Sequence, residues 1–311
     1  MHCSSLVIII CVSLMSSSAV SLSRSLLRGQ VLGPWYVDKA VLNAGGGAKV
    51  QEGMMGAEGA SKLAQDMRLS MLKIKAQSIS EDGMSVNYKA ISTSSAFSEF
   101  KKLTWELRRV DPSLLEPDAR KAFMINVYNA LTVHSIIEGM CVPAFFSDTL
   151  GRLRLYAKAS YEIGGIPYSL NEIENGILRG NRKSAAPLTS APFAPGDSRL
   201  ALCLECDCRI HFALNCGAKG CPPIAFYDPN KLEDELNTAQ DAFMLGGGVE
   251  VTDGGEALSM SMIFKWYEED FRGGALEYVL ASAPDGLKDK LDPSKPPSKM
   301  SFQPYNWAIN D

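Results

Sequence analysis

The chain has 311 residues, of which 46% are hydrophobic and 21% are charged, and its formal net charge is −4 at pH 7. These proportions exclude a wholly disordered chain and allow a sizeable buried core, in one large domain or two modest ones. Because there is no basic excess to hold a phosphate backbone, we expect no nucleic-acid partner.

The N-terminal segment carries an apolar run from Leu6 to Met15 in which only Ser13 is polar. A membrane-spanning helix needs about 20 apolar residues, so this run is too short to span and instead fits the apolar region of a signal peptide. Small residues around Ala19 suit a signal peptidase. We therefore predict a signal peptide over residues 1–21 and entry into the secretory pathway. The alternative is a short tail that docks on the domain.

The final compartment stays open at this point. No Asp or Glu precedes Asp38, and a Ser/Arg-rich stretch, 21–28, follows the apolar run. A Ser/Arg-rich segment without acids is typical of organelle transit peptides. Secretion and delivery to a plastid through the secretory route are both compatible with this pattern. No other apolar run reaches membrane length, so we expect a mature form that does not span a membrane.

Residues 22–60 are rich in glycine and predict a flexible segment. We expect a domain over the residues that follow, 61–311. Within the domain, apolar periodicity indicates helices over 61–77 and 95–109. A stronger helix follows over 117–138, with Pro117 in its first turn and Gly139 after its last. Its body is apolar nearly all round, which is typical of a helix buried in the core. We therefore expect its polar side chains to be buried and hydrogen-bonded: Asn126, Asn129 and His134.

A hairpin and a short helix come next. Two strands, 160–163 and 166–168, flank Gly164-Gly165, which suits a two-residue turn. The sequence from Ser169 to Glu172 is a capping box that opens a helix over 170–179, with Glu174 in its middle. The Pro-rich stretch 180–197 is a predicted loop.

The second half predicts strands over 200–204 and 209–214, the latter leading into the loop NCGAKGCPP at 215–223. An amphipathic helix over 229–245, a hairpin about Asp253-Gly254-Gly255 and helical segments over 262–271 and 275–282 complete the pattern. The fold class expected is α/β (α+β): a single domain with a buried central helix and a mostly antiparallel sheet.

Several strings in this pattern resemble the domain-of-unknown-function 547 family. They occur in the family's order and together extend over much of the chain: ARKAFMINVYNALTVH (119–134), IGGIPYSLNEIENGILR (163–179), RIHFALNCGAKGCPPI (209–224), FKWYEEDF (264–271) and PYNWAIN (304–310). The resemblance implies a papain-like fold. It also shows two departures, since the family usually has His where Asn175 stands and often Pro where Cys208 stands. If the missing His took part in catalysis, this chain would be impaired.

Outside the leader, the chain has only two histidines, His134 and His211, so any imidazole chemistry must use one of them. Cys216 ends a predicted strand and begins a loop whose glycines, backbone N–H groups and Lys219 would favour a thiolate. We expect Cys216 to be the most reactive free cysteine, with His211 or His134 as base and Glu174 orienting the imidazole. The alternative is that Cys216 is a small core residue.

Two other site types are weaker matches. The loop CGAKG lacks the Lys-Ser/Thr ending of a phosphate-binding loop, so we exclude nucleotide binding. The run from Cys203 to Cys208 invites a zinc site, but CxxCxC is a poor match to the paired spacing that zinc prefers. We predict neither a metal nor another cofactor. Disulfide pairing stays open among the cysteines after the leader: Cys141, Cys203, Cys206, Cys208, Cys216 and Cys221.

Two functions from different classes remain. The first is a cysteine-dependent hydrolase or transferase acting on an amide or thioester of a protein or peptide-like substrate. The second is a non-catalytic interaction or scaffold domain with a buried polar network, to which we assign Asn126, Asn129 and Arg179. An imidazole beside Cys216 in an open cleft favours the first, and polar groups sealed in the core favour the second.

The leader generates a direct prediction. Protein isolated from its native host should begin after Ala19, because the apolar run is followed by small residues that a signal peptidase accepts. N-terminal sequencing checks this. Recovery of an intact Met1 would contradict a cleaved signal peptide.

Overall fold

A computed structural model describes residues 39–45, 53–140, 155–185, 189–291 and 295–311. Val37–Asp311 form one compact unit. The leader and Cys141 lie outside the described residues, so the structure adds nothing to the predictions made for them.

The first elements of this unit are a short strand and three helices: β1 (Ala40–Val41), α1 (Ala57–Ser78), α2 (Tyr88–Thr93) and α3 (Ser95–Glu106). The two longer helices match the predicted ones. The segment predicted to be flexible, 22–60, differs from the expectation where it is described, because β1 pairs with a later strand. Asn43 anchors that strand: its amide nitrogen donates to the carbonyls of Thr104 and Glu162, at 2.8 and 2.9 Å.

The central helix α4 (Pro117–Ile137) confirms the prediction of a core helix. Most of its side chains are buried, and Asn129 and His134 are among them. Asn126 is only half-buried. Gly139 follows with a φ of 70°, as a left-handed helix end requires.

The first sheet has the order β1-β2-β3, with β2 at Ala159–Ile163 and β3 at Ile166–Ser169. β1 runs parallel to β2, and β2 and β3 form the predicted antiparallel hairpin. Gly164 and Gly165 both have positive φ, as a tight two-residue turn requires. Pro167 in β3 has no N–H to offer a further strand, and its carbonyl accepts from Lys39 Nζ at 2.6 Å. Proline at this position disfavours pairing of β3 with a further strand.

The predicted capping box is present, since Ser169 N and Glu172 Oε2 lie 2.9 Å apart and Glu172 N donates to Ser169 Oγ. The helix that follows, Glu172–Leu178, has π geometry and is wholly buried.

The strands predicted over 200–204 and 209–214 are wrong. These stretches are 3₁₀ turns at Ser198–Leu202 and Cys208–Phe212. In each, an aspartate caps the turn and also pairs with the arginine two residues on: Asp197 with Arg199, and Asp207 with Arg209. The apolar alternation suits a strand, but the local Asp side chain offers the backbone a competing partner that starts a turn.

The C-terminal part forms a second sheet and a second apolar core. Its elements are α5 (Leu232–Phe243), a π turn (Met244–Gly248), β4 (Val249–Thr252), β5 (Ala257–Met260), α6 (Met262–Trp266), α7 (Gly274–Ser282), α8 (Asp285–Lys288) and β6 (Lys299–Phe302). β4 and β5 form the predicted hairpin, and β6 adds in parallel to β5. The second core is built on packed aromatic rings: Phe212, Phe243, Phe264 and Phe271.

The α/β class in a single compact unit is confirmed, with the buried helix at its centre. The expected mostly antiparallel sheet is wrong in detail, because the strands form two small mixed sheets. Within the described ranges, no helix is both long and apolar enough to cross a bilayer.

The packing of α4 yields a prediction about Asn129. Asn129→Leu should destabilise the protein by about 1–3 kcal/mol for each buried group left without a partner. Its amide nitrogen donates to the carbonyls of Ala213 and Ala225, and its oxygen accepts from Asn215 N–H. Urea unfolding gives the free energies. Asn230→Leu, at an exposed position, is the control; equal losses in both variants would contradict this assignment.

Candidate functional site

The loop CGAKGC is closed by a disulfide between Cys216 and Cys221. Cys221 is buried at 3% exposure, whereas Cys216 is half-buried and reaches the surface. The expectation that Cys216 is a free thiol is therefore wrong for this structure. One cysteine of the pair is therefore partly exposed and the other is buried.

The two sulfurs have different hydrogen-bond surroundings. Cys221 Sγ accepts from the backbone N–H of Cys216 at 3.0 Å and from the Tyr305 hydroxyl at 3.2 Å. The same hydroxyl lies 3.5 Å from Cys216 Sγ. Burial raises the pKa of Tyr305, with Glu174 adding to the effect, so this phenol is a proton donor at neutral pH. A negative charge on Cys221 Sγ would therefore meet two donors.

The backbone N–H groups of the loop are not free for an anion, contrary to the expectation from its glycines. Those of Lys219 and Gly220 donate to the carbonyls of Ala308 and Asn306, at 2.8 and 2.9 Å. That of Gly217 donates to Asn215 Oδ1. The C-terminal segment thus uses the groups that we assigned to anion binding. The Lys219 side chain is exposed.

An aromatic cluster holds the phenol at the disulfide. The rings of Tyr305, Trp266 and Trp307 pack in a triangle: the Tyr305 centroid is 4.8 and 4.5 Å from those of Trp266 and Trp307, which are 5.4 Å from each other. Gly220 lies so close to this ring that a Cβ at its position would be 3.0 Å from it. The cluster therefore fixes the hydroxyl relative to both sulfurs.

His211 lies in a buried charge network rather than beside Cys216. Its Nε2 is 2.7 Å from Asp270 Oδ2, and its ring stacks on Tyr267 with centroids 3.8 Å apart. Asp270 also pairs with Arg179, at 2.5 Å from Nε, and with Arg182. Burial opposes the ionised form of Asp270, but its bonds to His211 and Arg179 keep its pKa below the usual range. Asp270 is therefore the ionised partner that orients His211.

Glu174 does not orient an imidazole. Its two oxygens accept from the hydroxyls of Tyr128 and Tyr267, at 2.9 and 2.6 Å. The neighbouring Asn175 donates to Asn171 Oδ1 and accepts from Arg179 Nη1. An amide in this position has no titratable proton, so Asn175 cannot serve as the base that a histidine would provide.

His134 lies elsewhere in the core. Its Nδ1 is 2.8 Å from the Tyr161 hydroxyl, and its Nε2 is 3.5 Å from Glu138 Oε1. Both ring nitrogens are thus directed at groups other than Cys216. The three residues predicted to serve Cys216 are therefore not assembled around it in the disulfide form.

Cys203, Cys206 and Cys208 are free and half-buried. Burial raises the pKa of all three thiols, that of Cys206 to about 12, so they are poor nucleophiles at neutral pH. Among the residues that the structure describes, no group of His, Cys, Asp and Glu has the arrangement of a metal site.

Tyr305, Tyr267 and Asp270 were missed as site residues, although they lie within two strings noted in the sequence, FKWYEEDF and PYNWAIN. The signal that could have identified them is that they lie in strings resembling the family, although these strings are far from the cysteines in the sequence. The predicted structural role of Arg179 is compatible with its place beside Asp270 in the buried network.

The buried histidines predict a pH dependence of stability. Burial lowers the pKa of His134 to about 4, against the opposing charge of Glu138. In the unfolded chain the pKa is about 6.5, so between these values the unfolded state binds a proton that the folded state does not. The free energy of unfolding should therefore fall as pH drops from 6.5 toward 4, by up to about 1.4 kcal/mol per pH unit for this residue. Burial lowers the pKa of His211 as well, so it acts in the same direction.

Urea unfolding between pH 7.5 and 5 measures this slope, and His134→Gln should reduce it. Glutamine keeps a hydrogen-bonding side chain but cannot titrate. The same slope in the variant and the wild type would show that His134 is solvated rather than buried neutral.

Comparison with known proteins places this site in a family. The profile described as "Protein of unknown function, DUF547" matches residues 112–244, which include Glu174, His211 and both sulfurs of the disulfide. No curated protein and no solved structure matches the chain, so the papain-like fold stays a prediction. Residues 112–244 therefore match the DUF547 family.

Proposed function

We propose that the Cys216–Cys221 pair carries out thiol–disulfide exchange with a thiol-bearing protein or peptide. The observation that carries this proposal is the asymmetry of the two sulfurs. Cys216 reaches the surface, whereas Cys221 is buried and accepts hydrogen bonds from Cys216 N–H and Tyr305 O–H. Access selects the sulfur that is attacked, and stabilisation of the leaving thiolate sets the rate.

The reaction balances without a cofactor. A partner thiolate attacks Cys216 Sγ, and the new S–S bond forms as the Cys216–Cys221 bond breaks. The electron pair leaves on Cys221 Sγ, whose two donors stabilise the thiolate. A second thiolate of the partner then attacks the partner's own sulfur in the mixed disulfide, and Cys216 leaves as a thiolate. The partner leaves as a disulfide and this chain as a dithiol; the reverse sequence oxidises the chain.

This chemistry does not need an imidazole at Cys216. The partner supplies the nucleophile, and neither His211 nor His134 is directed at the sulfur. Acyl transfer by Cys216, the other enzyme function that the sequence predicts, needs a reduced thiol and a base beside it. In the disulfide form the sulfur is blocked, and Asn175 provides no base. The geometry therefore supports exchange better than acyl transfer.

The scaffold alternative rests on the buried network around Asp270 and Glu174. The centre of that network is buried, and its members hydrogen-bond to one another rather than to either sulfur of the disulfide. We further propose that the chain works in the secretory pathway, as its leader predicts, because disulfides persist in oxidising compartments.

The reduction potential of Cys216–Cys221 tests the exchange function. The full-length protein is equilibrated in glutathione buffers of graded composition, alkylated and analysed by mass spectrometry. We expect reduction of the folded protein at a potential above about −300 mV, where exchange-active disulfides lie and structural ones do not. Glutathione should be found on Cys216 and not on Cys221. Resistance to reduction until the protein unfolds would overturn the proposal in favour of a structural bond.

Tyr305→Phe tests the role of the hydroxyl. Phenylalanine keeps a ring packed against Trp266 and Trp307 but removes a donor to Cys221 Sγ, so it should slow reduction and shift the potential to more negative values. Tyr227→Phe is a matched control, because the Tyr227 hydroxyl is buried and has no hydrogen-bond partner among the described residues. An equal effect of both variants would mean that Tyr305 acts through packing alone.

A further inference from the structure

A second concave site lies beside the edge strand β3, in residues that the disulfide loop does not share. It is a cavity of about 320 Å³, within the range of small-molecule sites in proteins, about 300–1,000 Å³. Its walls are largely apolar and include Pro112, Ile163 and Leu202. Two further lining residues are large, apolar and exposed: Met54 at 58% and Ile166 at 37%.

Two polar groups on the cavity wall have unused hydrogen-bonding capacity. Tyr168 is 1% exposed, and in the part of the chain that the structure describes its hydroxyl has no hydrogen-bond partner. Asp111 caps the turn Pro112–Leu114 by accepting from Ser113 N–H through Oδ1, which leaves Oδ2 available. Both groups line the cavity. Burial raises the pKa of Tyr168 to about 12, against the opposing charge of Arg199 and with carboxylates that include Asp111 adding to the effect, so the phenol stays protonated.

The charges around the cavity favour a cation. Arg199 also lines it, but this guanidinium is neutralised by Asp197 and Glu172, each at 2.7 Å. Lys39, on the same cluster, pairs with Glu172 at 2.6 Å. The two positive charges, on Arg199 and Lys39, and the two negative charges, on Asp197 and Glu172, therefore cancel. Among the described residues Asp111 makes no ion pair, so its carboxylate leaves the cavity with an uncompensated negative charge.

We infer that this cavity binds a small organic ammonium compound with an apolar body. The ammonium group would donate to the Asp111 carboxylate and to the phenol oxygen of Tyr168. The apolar body would fill the space between Ile163, Leu202 and the rim. A metal ion is a poor fit, because one carboxylate and one phenol provide too few ligands. The inference does not depend on the exchange function of Cys216.

Three probes of the same shape and different charge test the site: benzylamine, benzyl alcohol and benzoate. Titration of the full-length protein by NMR or calorimetry should give the tightest binding for benzylamine, about 5- to 10-fold over the alcohol, since a bond to a charged group adds about 1–1.5 kcal/mol to a neutral one. Benzoate should bind most weakly. Equal binding of all three, or tighter binding of benzoate, overturns the inference.

Two variants place the binding at this cavity. Asp111→Asn keeps the cap on Ser113 N–H, so it should leave the fold intact and abolish the preference for benzylamine over benzyl alcohol. Ala201→Trp, at an exposed position on the wall, should block all three probes. Asp285→Asn, a distant exposed carboxylate, is the matched control and should change nothing. If benzylamine binds equally to Asp111→Asn and to wild type, the ammonium does not sit at Asp111.

Discussion

The fold depends on satisfying the backbone of a segment that belongs to neither sheet. Residues 213–227 carry both sulfurs of the disulfide, yet lie outside every named helix and strand. Buried N–H and C=O groups without partners each destabilise a protein by about 1–3 kcal/mol. Asparagine side chains meet this need. The Asn129 side chain bonds three backbone groups of the segment. The Asn126 side chain bonds the backbone N–H and C=O of Tyr227. The Asn215 side chain bonds the backbone of Gly217 and Pro222. A carboxamide suits this task because it donates and accepts at once.

The same constraint explains why the disulfide site is assembled from distant parts of the chain. Side chains of α4 bond the backbone of the segment that carries the loop. Within the loop from Cys216 to Cys221, the N–H groups of Lys219 and Gly220 donate to carbonyls of the C-terminal segment. An isolated bridge between Ala218 and Ile309 marks that contact. This contact brings Tyr305 over the sulfurs. The N–H groups of Lys219 and Gly220 in the loop therefore bind the C-terminal segment rather than an anion, and Cys216 at its start stays partly exposed.

The elements with strong local signals were predictable from the sequence: the all-apolar helix α4, the Gly164-Gly165 hairpin and the Ser169–Glu172 capping box. The structure of the stretch 200–214 was not predictable, because an alternation of apolar residues that is typical of a strand occurs here in 3₁₀ turns capped by aspartate. The choice of His211 as a polar centre was reasonable, but its partner Asp270 lies 59 residues away, and residue types at such separations do not reveal contact. The disulfide was one of many possible pairings, which spacing cannot rank.

Electrostatic balance in the core narrows the chemistry that this chain can perform. The Asp270 carboxylate is matched by the guanidinium groups of Arg179 and Arg182, and burial favours the neutral form of His211 beside it. Removing one partner of a buried ion pair such as Asp270–Arg179 leaves an uncompensated charge, which typically destabilises by about 3–5 kcal/mol, so the ionised form of Asp270 is strongly favoured. A general base must change its protonation state during the reaction. Asp270 resists such a change and is therefore a poor general base, which agrees with our proposal of an exchange reaction at the sulfur pair that needs no general base from this network.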